Sequence, residues 1–147
     1  MPYKIPESVL VVIHTPDLQV LLIERAKHPG FWQSVTGSLD APGESPRDTA
    51  IREVAEETGL DASGDGHVLR DWQESTWYEI FPEWRHRYAP GVTRNLEHVF
   101  SLCIPAALPV RLAPDEHIAQ CWLPQAEAAR RVFSPTNRNA ILRLAPG

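Results

Sequence analysis

Three glutamates crowd one short stretch of this chain. Glu53, Glu56 and Glu57 follow Arg52 closely, and Glu44 lies upstream of them. The stretch reads as a helix. Ser45 is a good N-cap, Pro46 suits the first helical position, and Asp48 can complete a capping-box-like start. Gly59 is placed to end the helix in the left-handed conformation. At about 100° per residue the three glutamates share a sector roughly 100° wide. Ile51, Val54, Ala55 and Thr58 fall on the opposite side. Glu53 and Glu57 are one turn apart, so they repel by a few tenths of a kcal/mol when exposed and ionised. A divalent cation removes that penalty. Mg²⁺ takes hard oxygen ligands, commonly one or two carboxylates together with substrate phosphates. Nearby glutamates more often make a solvated acidic face, and on these residues alone that is the better reading.

Other elements must hold such a helix in place. Residues 8–14 and 20–24 are short β-rich runs joined by Thr15-Pro16-Asp17, which predicts a hairpin. Both runs are nearly continuous in apolar residues, as expected for strands covered on both faces. Lys4 and Arg25 flank them and could meet a phosphate, although a lone basic residue is usually just solvated. Residues 31–38 alternate large and small and lead into the acidic helix, so a strand there would deliver Gly37 to its carboxylates. Glycine permits close backbone approach, and its carbonyl could be a further metal ligand. Trp32, beside it, reads as a core aromatic and only weakly as a stacking residue.

After the helix, residues 61–66 read as a loop and 68–81 as one long strand or two short ones. Residues 82–95 hold Arg85, His86, Arg87, Arg94, aromatics, prolines and a glycine, a poor composition for strand or helix and a plausible binding loop. Residues 98–105 and 117–123 are two more strands, with Asp115-Glu116 in the turn before the second. A short helix over 124–132 follows. Ser134-Pro135 then repeats the cap signal and starts a helix to about Leu144. Strands, helix, strands, helices: that order predicts an α/β fold with a mixed sheet and helices on both sides.

The chain has 147 residues and a net charge of −5. That length suits one domain, taken here as 1–147, and the charge argues against broad nucleic-acid binding. No apolar run is long enough to span a membrane, and the N-terminus lacks a signal pattern. Cys103 and Cys121 sit in apolar runs without zinc spacing, so two reduced thiols and a cytoplasmic location are expected.

From Glu44 onward the stretch reads E-x7-R-E-V-x-E-E-x-G-L, which resembles the signature of the Nudix hydrolases. Six residues separate Gly37 from Glu44, one more than that pattern usually has. The resemblance implies an α/β/α sandwich and a pyrophosphohydrolase that uses Mg²⁺, with Mn²⁺ as a substitute. Residues 31–38 and 85–95 resemble a branch of the family that acts on a pterin triphosphate. What this implies is cleavage of 7,8-dihydroneopterin triphosphate to its monophosphate and pyrophosphate, a step of folate biosynthesis. By position, Glu53, Glu57, Glu116 and the Gly37 carbonyl are implied as metal ligands, with Glu56 assisting or acting as base. Implied substrate contacts are Lys4, Arg25, Thr36, Tyr78, Glu79, Ile80, Phe81 and Ser134. Arg52 and Glu44 read as an internal ion pair. Two other functions compete: hydrolysis of nucleoside triphosphates such as dATP, and a non-catalytic binding module. The partner in either catalytic case is a small molecule, with no nucleic acid and no membrane.

Overall fold

The computed structural model describes residues 3–146, so residues 1, 2 and 147 of the expected domain lie outside the described residues. Strand β1 (Glu7–His14) is central and buried along nearly its whole length. It runs parallel to β6 (Arg94–Cys103) and antiparallel to β4 (Val35–Ser38). On one side β6 pairs with β5 (Val68–Glu79). On the other, β2 (Gln19–Arg25) pairs with β3 (Trp32–Gln33) and with β7 (His117–Pro124). Among the described residues the sheet is mixed and has seven strands. The expected hairpin of β1 and β2 survives only at its turn. Thr15 N–H bonds to Gln19 O and Leu18 N–H to Thr15 O, and the ladder continues only through His14 and Val20. Buried backbone needs partners along both edges. β4 and β7 supply them once β1 and β2 part.

Successive side chains of a strand point to opposite faces. Val9, Val11 and Ile13 therefore pack under α1 (Pro46–Thr58), against Ala50 and Val54. Leu10, Val12, Val20 and Leu22 pack on the other face, with Ala128 of α2 (Gln125–Arg131) and Ala140 and Ile141 of α3 (Pro135–Leu142). Fully burying each valine or leucine contributes about 1.5–3 kcal/mol, which is why both runs are apolar throughout. The result is the expected α/β/α sandwich.

Helix α1 starts where its cap predicts: Ser45 Oγ accepts the Asp48 N–H at 3.1 Å. It ends at Gly59, whose φ is +74° and whose N–H bonds to Ala55 O. The buried face is rotated from the expected one. Ala55 is exposed, whereas Glu57 is buried beside Val54 and Thr58. Of the segment 82–95 expected to be a loop, Pro82–Arg87 form a 3-10 helix, opened by a proline whose fixed φ suits a first turn, and 88–93 are irregular as expected. β6 starts at Arg94, ahead of the apolar run, because Arg94 and Asn95 pair with Glu79 and Tyr78. β5 is one strand with a register slip between Asp71 and Ser75, and α3 stops at Leu142. Both cysteines are free. Among the described residues, no helix is long and apolar enough to cross a membrane.

Candidate active site

At one end of the sheet β1 and β7 begin, β2 and β5 end, and β4 runs into the loop before α1. These ends surround a cavity of about 510 Å³. Glu53, Glu57, Asp115 and Glu116 face it, as do Lys4, Arg25, Lys27 and Arg87. Acid and base thus share one cavity without neutralising each other. Among the described residues, Lys4, Arg25, Lys27 and Arg87 form no salt bridge.

The acidic side is built by close packing. Gly37 pairs with Val9, on the α1 side of the sheet. A Cβ on Gly37 would fall 2.0 Å from the Glu53 carboxylate, so only glycine lets the two meet. Glu57 is 2% exposed. Burial, then the neighbouring Glu53 charge, pushes its carboxyl well above the usual range. Burial likewise pushes Glu53 up to about 7. Of the three glutamates only Glu56 is exposed, and it lies off the cavity wall. Glu116 reaches the cavity from the turn before β7, and one ligand atom each of Glu57, Glu116 and His117 lie within 4.8 Å of one another.

On the basic side, burial lowers the affinity of Lys4 and Arg25 for their protons, and nearby Arg87 adds repulsion to both. Three mutually repelling cations without carboxylate partners are suited to a polyphosphate. Gln33 orders two of the lining groups: its Oε1 accepts Arg25 Nη1 at 3.2 Å and its Nε2 donates to Thr36 Oγ1 at 3.2 Å. The Arg25 guanidinium also lies 4.8 Å from the ring centre of Trp84.

Of the eight implied substrate contacts, Lys4, Arg25, Thr36 and Tyr78 line the cavity and the other four do not. Glu79 is 67% exposed at its side chain and pairs with Arg85 at 3.4 Å. Ile80 is buried, and its carbonyl accepts from Arg85 Nε. Phe81 packs on Trp84 with ring centres 5.0 Å apart. Ser134 caps α3. For Glu79 strand alternation is the reason: with Tyr78 turned inward, Glu79 must turn out. Of the basic loop cluster, only Arg87 faces the cavity, and Arg94 lies over Trp77 instead. Trp84 and Tyr88, aromatics of the expected binding loop, line the cavity, as do Gln33 and His117, to which sequence reasoning assigned no role. His117 had a signal, since it directly follows Glu116.

The sequence profile of the NUDIX domain matches residues 4–144. This chain belongs to the Nudix family. It is 45% identical to the dihydroneopterin triphosphate diphosphatase of Escherichia coli K12, over 95% of this chain and 91% of that one. Against the protein of the same name from Haemophilus influenzae the identity is 43%, over 96% and 88% of the two chains. The solved structure of the Escherichia coli dihydroneopterin triphosphate pyrophosphohydrolase superposes with a TM-score of 0.90 at 43% identity, covering 98% of this chain and 97% of that one.

Nudix hydrolases use divalent metal ions, and the acidic wall fits one. Glu57 Oε1 is buried with no hydrogen-bond partner, an expensive state for a carboxylate oxygen unless a cation completes it. Carboxylate oxygens of Glu57 and Glu116 stand close together there, and hard divalent cations take such donors. Metal-free, the Nudix carboxylates carry a pH signature. A carboxyl whose folded pKa is raised stabilises fully below its ordinary value of 4.5, and that contribution is lost as pH rises through about 7 for Glu53. Metal binding requires the deprotonated forms. Saturating Mg²⁺ is therefore expected to raise Tm clearly at pH 8 and little at pH 5, read by thermal melts against a chelator control. Equal shifts at both pH values would exclude these carboxylates as the site.

Arg52 ties the Nudix loop to the Nudix helix. It grips Glu44 with Nε and Nη2, each 3.0 Å from a carboxylate oxygen, and its Nη2 reaches Ser38 O at 3.1 Å. Its Nη1 holds Glu53 at 3.0 Å and Glu56 at 3.4 Å. Glu44 closes the loop in turn, accepting from Asp40 N–H and Thr49 Oγ1, both at 2.8 Å. Glu44 N–H also closes an exposed turn on Ala41 O. The Arg52 bond holds the Glu44 carboxyl down at about 2. The pair is only partly buried, so Arg52→Ala is expected to cost about 2–4 kcal/mol, between a surface and a buried pair. That corresponds to roughly 5–10 °C in Tm. An unchanged Tm would deny Arg52 a structural role.

Proposed function

We propose that this chain hydrolyses 7,8-dihydroneopterin triphosphate to dihydroneopterin monophosphate and pyrophosphate, with Mg²⁺ as cofactor and Mn²⁺ as a substitute. The observation that carries the reading is full-length similarity: 43% identity and a TM-score of 0.90 to a protein of that activity, spanning 98% of this chain. The cavity supports it, because a triphosphate bound to a divalent ion needs carboxylates and cations facing one space.

Glu53, Glu57, Glu116 and the Gly37 carbonyl are the residues we assign to the ion. When bound, it neutralises phosphate oxygens and orients an attacking water. Water adds across the α–β phosphoanhydride, giving dihydroneopterin monophosphate and pyrophosphate. Lys4, Arg25 and Arg87 hold the phosphates and offset the charge on the leaving group. Glu56, held by Arg52 at 3.4 Å, assists through water or acts as the base. Thr36 and Tyr78 bound the space left for the rest of the substrate. We place the enzyme in folate biosynthesis and in the cytoplasm, where its two thiols would stay reduced.

The deciding experiment measures pyrophosphate released from the pterin triphosphate and from a panel of nucleoside triphosphates, with Mg²⁺ and with chelator. Release from the pterin that stops in chelator is expected. Equal release in chelator would remove the metal role, and no release from any substrate would leave a binding module.

A further inference from the structure

His117 has no role in the scheme above, and its surroundings call for one. It opens β7, is 5% exposed, and lines the cavity. The register between β2 and β7 slips here: Ala119 faces Glu24 and His117 faces Arg25, leaving Ile118 over and 55% exposed. Such slips re-aim side chains beside active sites. Its Nε2 stands 3.6 Å from Glu57 Oε1. That is too long for a hydrogen bond. It is near the separation of two donors on one ion, since ligands about 2.1 Å from a metal in an octahedron lie roughly 3 Å apart.

A histidine that merely fills a core finds partners for its ring. His14, equally buried, has its Nδ1 2.8 Å from Thr15 O. His117 Nδ1 has no partner, and neither does Glu57 Oε1. On the other side of the ring, Nε2 faces the buried, unpartnered Glu57 Oε1 across 3.6 Å with Glu116 beside them, which leaves a place for a shared cation.

Resting on the metal reading above, we propose that His117 ligates the divalent ion through Nε2 beside Glu57 and Glu116, giving the centre a mixed oxygen–nitrogen donor set. Mg²⁺ prefers an all-oxygen shell, whereas imidazole favours later first-row ions in the order Mn²⁺ < Co²⁺ < Ni²⁺. The site then discriminates toward Co²⁺ over Mg²⁺ through one side chain.

The test uses the full chain loaded with Mn²⁺ and pulsed electron paramagnetic resonance to detect a directly bonded nitrogen. Wild type is expected to show the ¹⁴N coupling and His117→Gln to lose it. The ratio of Co²⁺ to Mg²⁺ affinity, from competition titration, should fall about 10-fold or more in the variant. Mn²⁺ bound without nitrogen coupling overturns the proposal and leaves the substrate reading intact. A coupling that persists in His117→Gln belongs to another residue and overturns it too. Should the variant fail to fold, the wild-type spectrum decides alone. Nitrogen coupling in a chain that ignores the pterin triphosphate would sink the substrate reading and leave this one standing.

Discussion

Glu57→Gln is expected to lower turnover by at least ~10²-fold while the chain stays folded. Losing a partner of a metal ligand costs about 10–100-fold, and losing the ligand itself should cost no less. Stability should move the other way. Glu57 is 2% exposed, and its raised carboxyl stabilises the fold only while protonated, a contribution lost as pH rises above its ordinary value of 4.5. Gln keeps the shape and carries no charge at any pH. In chelator at pH 8 the variant should therefore melt no lower than wild type, and the rise in Tm on adding Mg²⁺ should shrink, because less binding energy is available to the native state. Turnover within about 5-fold of wild type would remove Glu57 from the metal site. Inactivity with a lower Tm in chelator would instead mark the residue as structural.

The helix that carries these carboxylates was legible because its signals are local. A cap, a proline and a terminal glycine act within one or two turns, and all three do so here. Which side of that helix is buried was not local. Angles alone put Glu57 with Glu56, but the cavity at the sheet's end takes Glu57 inside and leaves Ala55 out. The strands were legible as apolar runs, yet their partners were not. An apolar strand only demands bonded edges, and β4 and β7 meet that demand from distant parts of the sequence. The Glu44–Arg52 pair came through intact because both residues belong to one rigid unit. Glu79 did not reach the wall because the inward turn of Tyr78 fixes the parity of β5. The 3-10 helix over Pro82–Arg87 was hidden by composition, since so short an element needs only one turn's worth of suitable residues.

That parity shapes the substrate prediction. Every candidate substrate carries a phosphate chain, so metal ligands and Lys4, Arg25 and Arg87 cannot tell them apart. Preference must come from the wall beyond the phosphates, where groups left unpaired by the wrong ring penalise it. Wild type is expected to favour dihydroneopterin triphosphate over each common nucleoside triphosphate by at least ~10-fold in kcat/KM. Tyr78 is the aromatic that β5 turns into the cavity. Contact between a heterocycle and an aromatic side chain contributes about 1–3 kcal/mol by alanine substitution. Tyr78→Ala should thus lower kcat/KM for the pterin by ~10-fold or more, with a smaller loss for dATP, whose ring gains less from the wall. Glu79→Ala should leave the preference within about 3-fold, since an exposed carboxylate paired with Arg85 has nothing to offer a ring in the cavity. A wild type that prefers dATP would reduce the reading to Nudix hydrolysis of nucleotides. Collapse of the preference in Glu79→Ala, with Tyr78→Ala neutral, would mean that the end of β5 turns over when substrate binds.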